Sequence, residues 1–157
     1  MKVTRHTDYA LRVLIYLAIA GDRPTTIAEV AGAYGISSHH LVKITQELAR
    51  CGWIEQRRGR GGGMRLLVEP SRIVLGQVVR ELECLDLVEC FDLERDGCAI
   101  SPACTLKRAL REATDAWLAV LDRYTLADLA RRRSRLAGLV GLAATGRAVA
   151  GRAGAPA

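Results

Sequence analysis

Apolar residues recur along the first fifty positions with a helical period, and the breaks between the runs hold residues that start and stop helices. Leu11, Leu14, Ile15, Ala18 and Ile19 fall at three- and four-residue steps, so they share one face of a first helix that Thr7 is placed to cap. The Gly21-Asp22-Arg23-Pro24 stretch ends it. Thr26-Ile27-Ala28-Glu29 then spells a capping box, in which the hydroxyl and the carboxylate each accept from an amide left free at a helix start. Ile27, Val30, Ala31 and Tyr34 give this second helix an inner face. Gly35 offers a turn position where positive φ is cheap, and Ser37 or Ser38 can cap a third helix running to about Arg50, with Leu41, Ile44 and Leu48 turned inward.

A small residue at Ala31, glycine at Gly35, apolar Ile36 and then Leu41 and Ile44 is what two helices crossing at a tight turn require. A plain helical domain with a glycine turn shares part of this pattern. The outward face of the third helix separates the two: Ser38, His39, His40, Lys43, Gln46 and Arg50 are all donors suited to phosphates and base edges in a major groove, where an ordinary solvated helix carries more acid. The period then changes. Residues 53–57 and 64–68 read as two short strands joined by Arg58-Gly59-Arg60-Gly61-Gly62-Gly63. Arg57, Arg58 and Arg60 on this glycine-rich hairpin can neutralise phosphates or enter a narrow minor groove beside the third helix. A nucleotide-phosphate cradle fits worse, because the loop lacks the Gly-Lys-Ser/Thr ending and no convincing helix follows it. The predicted fold is mainly α, with a winged helix-turn-helix domain and a two-stranded β wing over residues 1–70.

Charge supports this division. Residues 1–68 hold 10 Lys/Arg against 5 Asp/Glu, residues 69–130 hold 7 against 12, and residues 131–157 hold 6 against none, so the net +6 divides as +5, −5 and +6. A basic first block points to a polyanion such as double-stranded DNA, and an acidic middle to a different task. The length of 157 residues, 50% hydrophobic and 25% charged, suits one globular domain with an arm. Its apolar runs are too short to span a bilayer, so no membrane role is expected. The N-terminus lacks the apolar region of a secretory signal, which places the chain in the cytoplasm. Five cysteines in that compartment are expected as thiols or metal ligands.

The acidic block holds three of those cysteines. Residues 75–85 form a helix with Val78, Val79 and Leu82 on one face, and a loop follows with Cys90, Cys98 and Cys104 in the pattern C-x7-C-x5-C, so that residues 71–104 form a linking helix and a cysteine loop. These spacers exceed the C-x2–4-C knuckle of structural zinc, whereas a loop containing Gly97 can wrap three thiolates around an iron-sulfur cluster. With Ser101 as cap and Pro102 at the first position, a helix starting there puts Cys104 in its first turn. A cluster, zinc and a cluster-free thiol redox switch all remain open on the residues alone. A cluster needs a fourth ligand. All three histidines lie in the DNA-binding half, Cys51 and Cys84 sit where a cysteine is usually a small packing residue, and Asp8 offers an exchangeable carboxylate that also serves as ordinary helix-dipole compensation.

Leu106, Leu110, Ala113, Trp117, Val120, Tyr124 and Ala127 alternate steps of four and three, a heptad stripe that predicts a dimerisation helix over residues 105–133. The alternative is a long helix folded onto its own domain. A homodimer presents two recognition helices to successive major grooves and calls for an inverted-repeat operator. Residues 134–157 turn to glycine and alanine and are expected to be a mobile tail, with the arginines at 131–135 as a solvated helix end. No catalytic signature accompanies the cysteines, and no histidine lies near them to act as base, so an enzyme is not expected.

Several segments together resemble the nitric-oxide-sensing repressors of the NsrR type, within a larger superfamily of winged-helix regulators. They are Thr7-Asp8-Tyr9-Ala10-Leu11-Arg12, His40-Leu41-Val42-Lys43-Ile44, Arg57-x-Gly59-Arg60-x-Gly62-Gly63, residues 78–83, Ile100-Ser101-Pro102-Ala103-Cys104 and residues 124–129, and the match covers about residues 1–130. The resemblance implies a homodimeric repressor carrying an iron-sulfur cluster, 4Fe-4S or 2Fe-2S, on Cys90, Cys98 and Cys104, with Asp8 of the partner subunit as fourth ligand and nitric oxide as signal. The first spacer of seven residues is longer than the family's usual four or five. The related regulator of cluster assembly has a histidine ligand three residues after its last cysteine, and Lys107 stands there in this chain, which favours nitric-oxide sensing over control of cluster biogenesis.

Overall fold

The computed structural model describes residues 3–142 apart from Arg60, Leu93 and Arg95. Helix α1 (Arg5–Ala20) is its central element and buries Ala10, Val13, Leu14 and Leu17. The sequence put Leu11, Ile15 and Ala18 on that face, yet these are half-buried. The residues from Val13 to Ala20 are apolar all round, so spacing alone does not set which stripe faces inward. The helix also starts one turn before the expected cap. Thr4 caps it, accepting from the Thr7 amide at 3.3 Å, while Thr7 is fully buried. A tertiary anchor explains the choice: the Thr4 amide and hydroxyl both donate to Glu83 Oε1, at 2.7 and 2.9 Å.

Helix α2 (Ile27–Tyr34) opens with both halves of the expected capping box, Glu29 N–H to Thr26 Oγ1 at 3.2 Å and Thr26 N–H to Glu29 Oε2 at 2.6 Å. Gly35 ends it in the left-handed region at φ 63°, and the chain turns into α3 (Ser38–Arg50), which buries Leu41, Ile44, Thr45 and Leu48. Strands β1 (Ile54–Arg57) and β2 (Gly63–Leu66) pair antiparallel, with Ile54 opposite Leu66 and Arg57 opposite Gly63. Thr25 adds an isolated antiparallel bridge on the other edge of β2, exchanging hydrogen bonds of 3.0 and 2.7 Å with Met64, so the wing is pinned to the turn before α2. The core joins Leu14, Leu17, Val30, Leu41, Leu48, Ile54, Met64, Ile73 and Val78. Mainly helical architecture and a two-stranded wing are as the sequence predicts.

Helix α4 (Leu75–Leu82) buries Val78 and Val79 and stops three residues before the expected end. The cysteine loop follows, and then α5 (Thr105–Leu121). The helix expected to run to 133 ends at Leu121, because a second capping box, Thr125 with Asp128, starts α6 (Leu126–Leu129). Tertiary bonds fix that turn: Leu75 N–H donates to Tyr124 O at 3.0 Å, Leu126 N–H to Ile73 O at 2.8 Å, and Leu126 is buried in the core. Part of the arginine run and the first residues of the expected tail form α7 (Arg133–Leu139), with Arg132 at its N-cap. Arg133 Nε donates to the carbonyl of Ile19 at 2.7 Å, one of the acceptors left free at the end of α1. Val140 and Leu142 pack against the core. The rest of the expected tail, 143–157, lies outside the described residues. Among those described, no helix is long and apolar enough to cross a membrane.

Candidate nucleic-acid interface and cysteine loop

Burial of Leu41, Ile44 and Leu48 turns the opposite side of α3 outward, and Ser38, His39, His40, Lys43 and Gln46 are all exposed there, together with Arg50. Arg50 is engaged at 3.0 Å by Glu47, whereas Lys43 has no ion pair among the described residues. Sequence spacing missed one member of this surface. Val42 is 38% exposed between His39, Lys43 and Gln46, an apolar spot suited to a thymine methyl. The signal was present in the sequence, because Val42 falls off the 41-44-48 inner stripe. On the wing, Arg57 and Arg58 are exposed, and Arg57 contacts Glu55 at 3.3 Å. Arg60 lies outside the described residues. The tip is built by close backbone approach: a Cβ on Gly62 would stand 2.2 Å from the Arg57 carbonyl oxygen. Helix α3 packs against β1, the strand that ends at Arg57.

The loop between α4 and α5 carries Cys90 in a 3-10 turn (Glu89–Phe91), Cys98 exposed, and Cys104 after a second 3-10 turn (Ser101–Ala103). The expected helix start at Ser101 is only that short turn. The long helix begins at Thr105 and Cys104 is its N-cap, with Sγ accepting the Lys107 amide at 3.4 Å. Beside it, Asp96 Oδ2 accepts from the Ser101 hydroxyl and from Lys107 Nζ, the latter at 2.9 Å, and Asp96 Oδ1 accepts the Cys98 amide at 3.2 Å. The Ser101 and Lys107 donors hold the Asp96 carboxyl below the usual aspartate range. Asp96 and Ser101 were not singled out as site residues from sequence, since their role depends on a turn that brings Lys107 back over them.

No three His, Cys, Asp or Glu side chains among the described residues converge as a metal cage, so the single chain does not assemble the expected ligand set. Asp8, in the first turn of α1, accepts from Arg12 Nε at 3.1 Å and Nη2 at 2.8 Å. The donor chemistry nonetheless fits an iron-sulfur group: three free thiols on one loop, the last of them already accepting an amide at a helix start. Cys51 caps the end of α3, where burial and then nearby Glu81 push its thiol up. Cys84 is exposed and donates to Asp86 Oδ2 at 3.7 Å, so it is not the packing residue its surroundings in sequence suggested.

Along α5 the heptad stripe divides. Leu110 and Trp117 are half-buried, Leu106 and Val120 are exposed by 65% and 42%, and Tyr124, in the turn after the helix, by 48%, while the buried residues of α5, Thr114 and Leu118, lie off the stripe. The helix folds onto its own domain along one edge and leaves an apolar row at seven-residue spacing, with Ala113 between, along the other.

The family model for Rrf2, iron-dependent transcriptional regulators, matches residues 3–132. The chain is 50% identical over 142 residues to the HTH-type transcriptional regulator NsrR of Geobacillus kaustophilus, covering 89% of this chain and 97% of that one. It is 49% identical over 137 residues to NsrR of Bacillus subtilis, covering 85% and 92%. Among solved structures, CymR, the global cysteine regulator of B. subtilis, matches with a TM-score of 0.67 and 32% identity over 84% of this chain and 98% of that one. IscR of T. potens matches with a TM-score of 0.68 and 27% identity over 84% and 88%.

Proposed function

Because the chain belongs to the Rrf2 family of transcriptional regulators, and within it to the NsrR type, we propose that it is a homodimeric DNA-binding repressor whose cysteine loop holds an iron-sulfur cluster and whose operator is released by nitric oxide. It is a regulator and not an enzyme, as its relatives are. The observation that carries the finer reading is the cysteine loop, with Cys90, Cys98 and Cys104 free and Cys104 at the N-cap of α5.

Ser38, His39, His40, Lys43 and Gln46 are assigned to the major groove, and Arg57, Arg58 and Arg60 to the adjacent backbone or minor groove. The exposed row Leu106, Val120 and Tyr124 is assigned to a second subunit, which makes the operator an inverted repeat. Cys90, Cys98 and Cys104 supply three ligands, and Asp8 of the partner subunit the fourth, a set compatible with 4Fe-4S or 2Fe-2S. Arg12 donates to both oxygens of Asp8, so ligation means sharing or exchanging one of those bonds. The bound cluster supplies the iron with which nitric oxide reacts. The three thiols and Asp8 would tie the loop to the first helix of the other subunit and so hold the two recognition helices at a fixed separation, which would depend on that ligand set staying intact. A change in operator occupancy from 99% to 1% requires binding to weaken about 10⁴-fold, about 5.5 kcal/mol.

Iron and acid-labile sulfide analysis of anaerobically purified protein tests this, together with Asp8→Ala. Stoichiometric iron and sulfide, lost on Cys98→Ala and bound less stably by Asp8→Ala, are expected. Iron-free protein with full operator affinity contradicts it. A cluster-free thiol switch is the second reading, favoured by the absence of a ligand cage among the described residues. It predicts instead a disulfide among Cys90, Cys98 and Cys104 after oxidation of iron-free, DNA-competent protein.

A further inference from the structure

Two side chains one turn apart on α5 hold the two limbs of the cysteine loop. Lys107 takes the second limb: its ammonium donates to Asp96 Oδ2 at 2.9 Å and to Ser101 Oγ at 2.7 Å, and the Ser101 hydroxyl in turn donates a hydrogen bond to Asp96 Oδ2. Asp96 Oδ1 accepts the Cys98 amide, and the Ser101 amide donates to the Cys98 carbonyl at 3.0 Å. With the Lys107 amide on Cys104 Sγ, the segment from Asp96 to Lys107 closes on itself with Cys98 and Cys104 inside it. Arg111 takes the first limb. Its guanidinium lies 4.3 Å from the centre of the Phe91 ring, which is 7% exposed and directly follows Cys90.

Lys107 and Arg111 are four residues apart and so share one helix face with Cys104, seven residues before Arg111. The Lys107–Asp96 pair is also the least exposed ion pair among the described residues, at 21% and 16%. It is therefore screened less than the surface pairs, and a cation on a desolvated ring face adds attraction of its own.

We propose that Lys107 and Arg111 are positioning residues, a clamp on α5 that gives the cysteine loop its shape before any cluster is bound. The clamp rests on the iron-sulfur reading for its purpose but not for its geometry. Lys107 thus does not simply vacate a ligand position, because it organises the segment that presents Cys98 and Cys104.

The test uses full-length protein in two states. In cluster-free protein, alkylation of each cysteine by iodoacetamide is followed by peptide mass spectrometry, with Cys51 as internal control. In cluster-loaded protein, the rate of iron loss to a chelator is followed by visible absorption. Lys107→Met is expected to speed alkylation of Cys98 and Cys104 several-fold with Cys51 unchanged. It is also expected to speed iron loss roughly 10- to 100-fold, the usual size of an outer-shell effect. Lys107→Arg, which keeps the charge, restores much of both, and Arg111→Met acts on Cys90. Unchanged alkylation and unchanged iron loss in folded Lys107→Met overturn the clamp. Wild-type protein that takes up no iron, with alkylation still faster in Lys107→Met, overturns the iron-sulfur reading and leaves the clamp standing.

Discussion

Arg80 and Asp122 meet through two hydrogen bonds of 2.7 Å, one from each terminal guanidinium nitrogen to each carboxylate oxygen, and they fix the end of α5 on the face of α4. Gly76 lies beneath them: a Cβ there would stand 1.9 Å from Asp122 Oδ1 and 2.9 Å from Arg80 Nη1. Gly76→Ala raises helix propensity by roughly 0.5–1 kcal/mol but displaces the pair. We expect a lowered melting temperature for Gly76→Ala and a smaller change for Asp122→Ala, since exposed pairs contribute little by themselves. Adding Gly76→Ala to Asp122→Ala should then be neutral or stabilising. A further loss in the double variant would show that the glycine is needed for some other reason.

The capping box of α2 gives a pH signature. Burial raises the Glu29 carboxyl, but the Thr26 amide, Arg23 and the Thr26 hydroxyl together outweigh it and hold Glu29 below the ordinary glutamate value of about 4.3. A carboxylate depressed in the folded state contributes stability above its unfolded pKa and loses it as the pH falls through the folded value. Thermal melts of wild type and Glu29→Gln should therefore differ most near pH 7 and converge as the pH drops below about 4. A gap that stays constant down to pH 3 would contradict the assignment.

On the recognition helix, Lys43 is exposed and has no ion pair among the described residues, so its charge is available to a phosphate. Lys43→Ala should weaken operator binding and reduce the slope of log affinity against log salt by about one, measured by fluorescence anisotropy over a salt series. Gly62→Ala forces the wing backbone off the Arg57 carbonyl, so DNA affinity should fall while the helical signal stays. Binding indifferent to both changes would move the DNA interface elsewhere.

The apolar row on α5 gives a test of assembly. Leu106→Glu and Val120→Asp place charge at exposed positions that make no core contact in the chain, so the monomer fold should survive. Sedimentation velocity should show the dimer shifted towards monomer, with loss of affinity for the full inverted repeat and residual affinity for a half-site. An unaltered dimer would assign the interface to another surface.

Much of the winged domain was legible because its signals are local. The capping box at Thr26 and Glu29, the left-handed Gly35 and the two short strands joined by a glycine-rich turn each need only a few neighbouring residues, and each is realised. What was not legible depends on distant partners. The start of α1 at Thr4 is decided by Glu83, the break after Leu121 by contacts with residues 73 to 75, and the folding back of α7 by Arg133 reaching the Ile19 carbonyl. At the cysteine loop, composition named the thiols but not their support, since Asp96, Ser101 and Lys107 meet only after the chain has turned twice.

In the proposed mechanism iron on the cysteine loop governs operator binding. This is tested most directly by titrating one anaerobic preparation with nitric oxide while visible absorption and binding to an inverted-repeat operator are recorded together. The cluster absorption and the bound fraction are expected to fall over the same equivalents of nitric oxide, and Cys104→Ala protein is expected to show neither the absorption nor the response. Operator binding that persists after the absorption has been bleached, or a colourless protein that binds and responds normally, would contradict it.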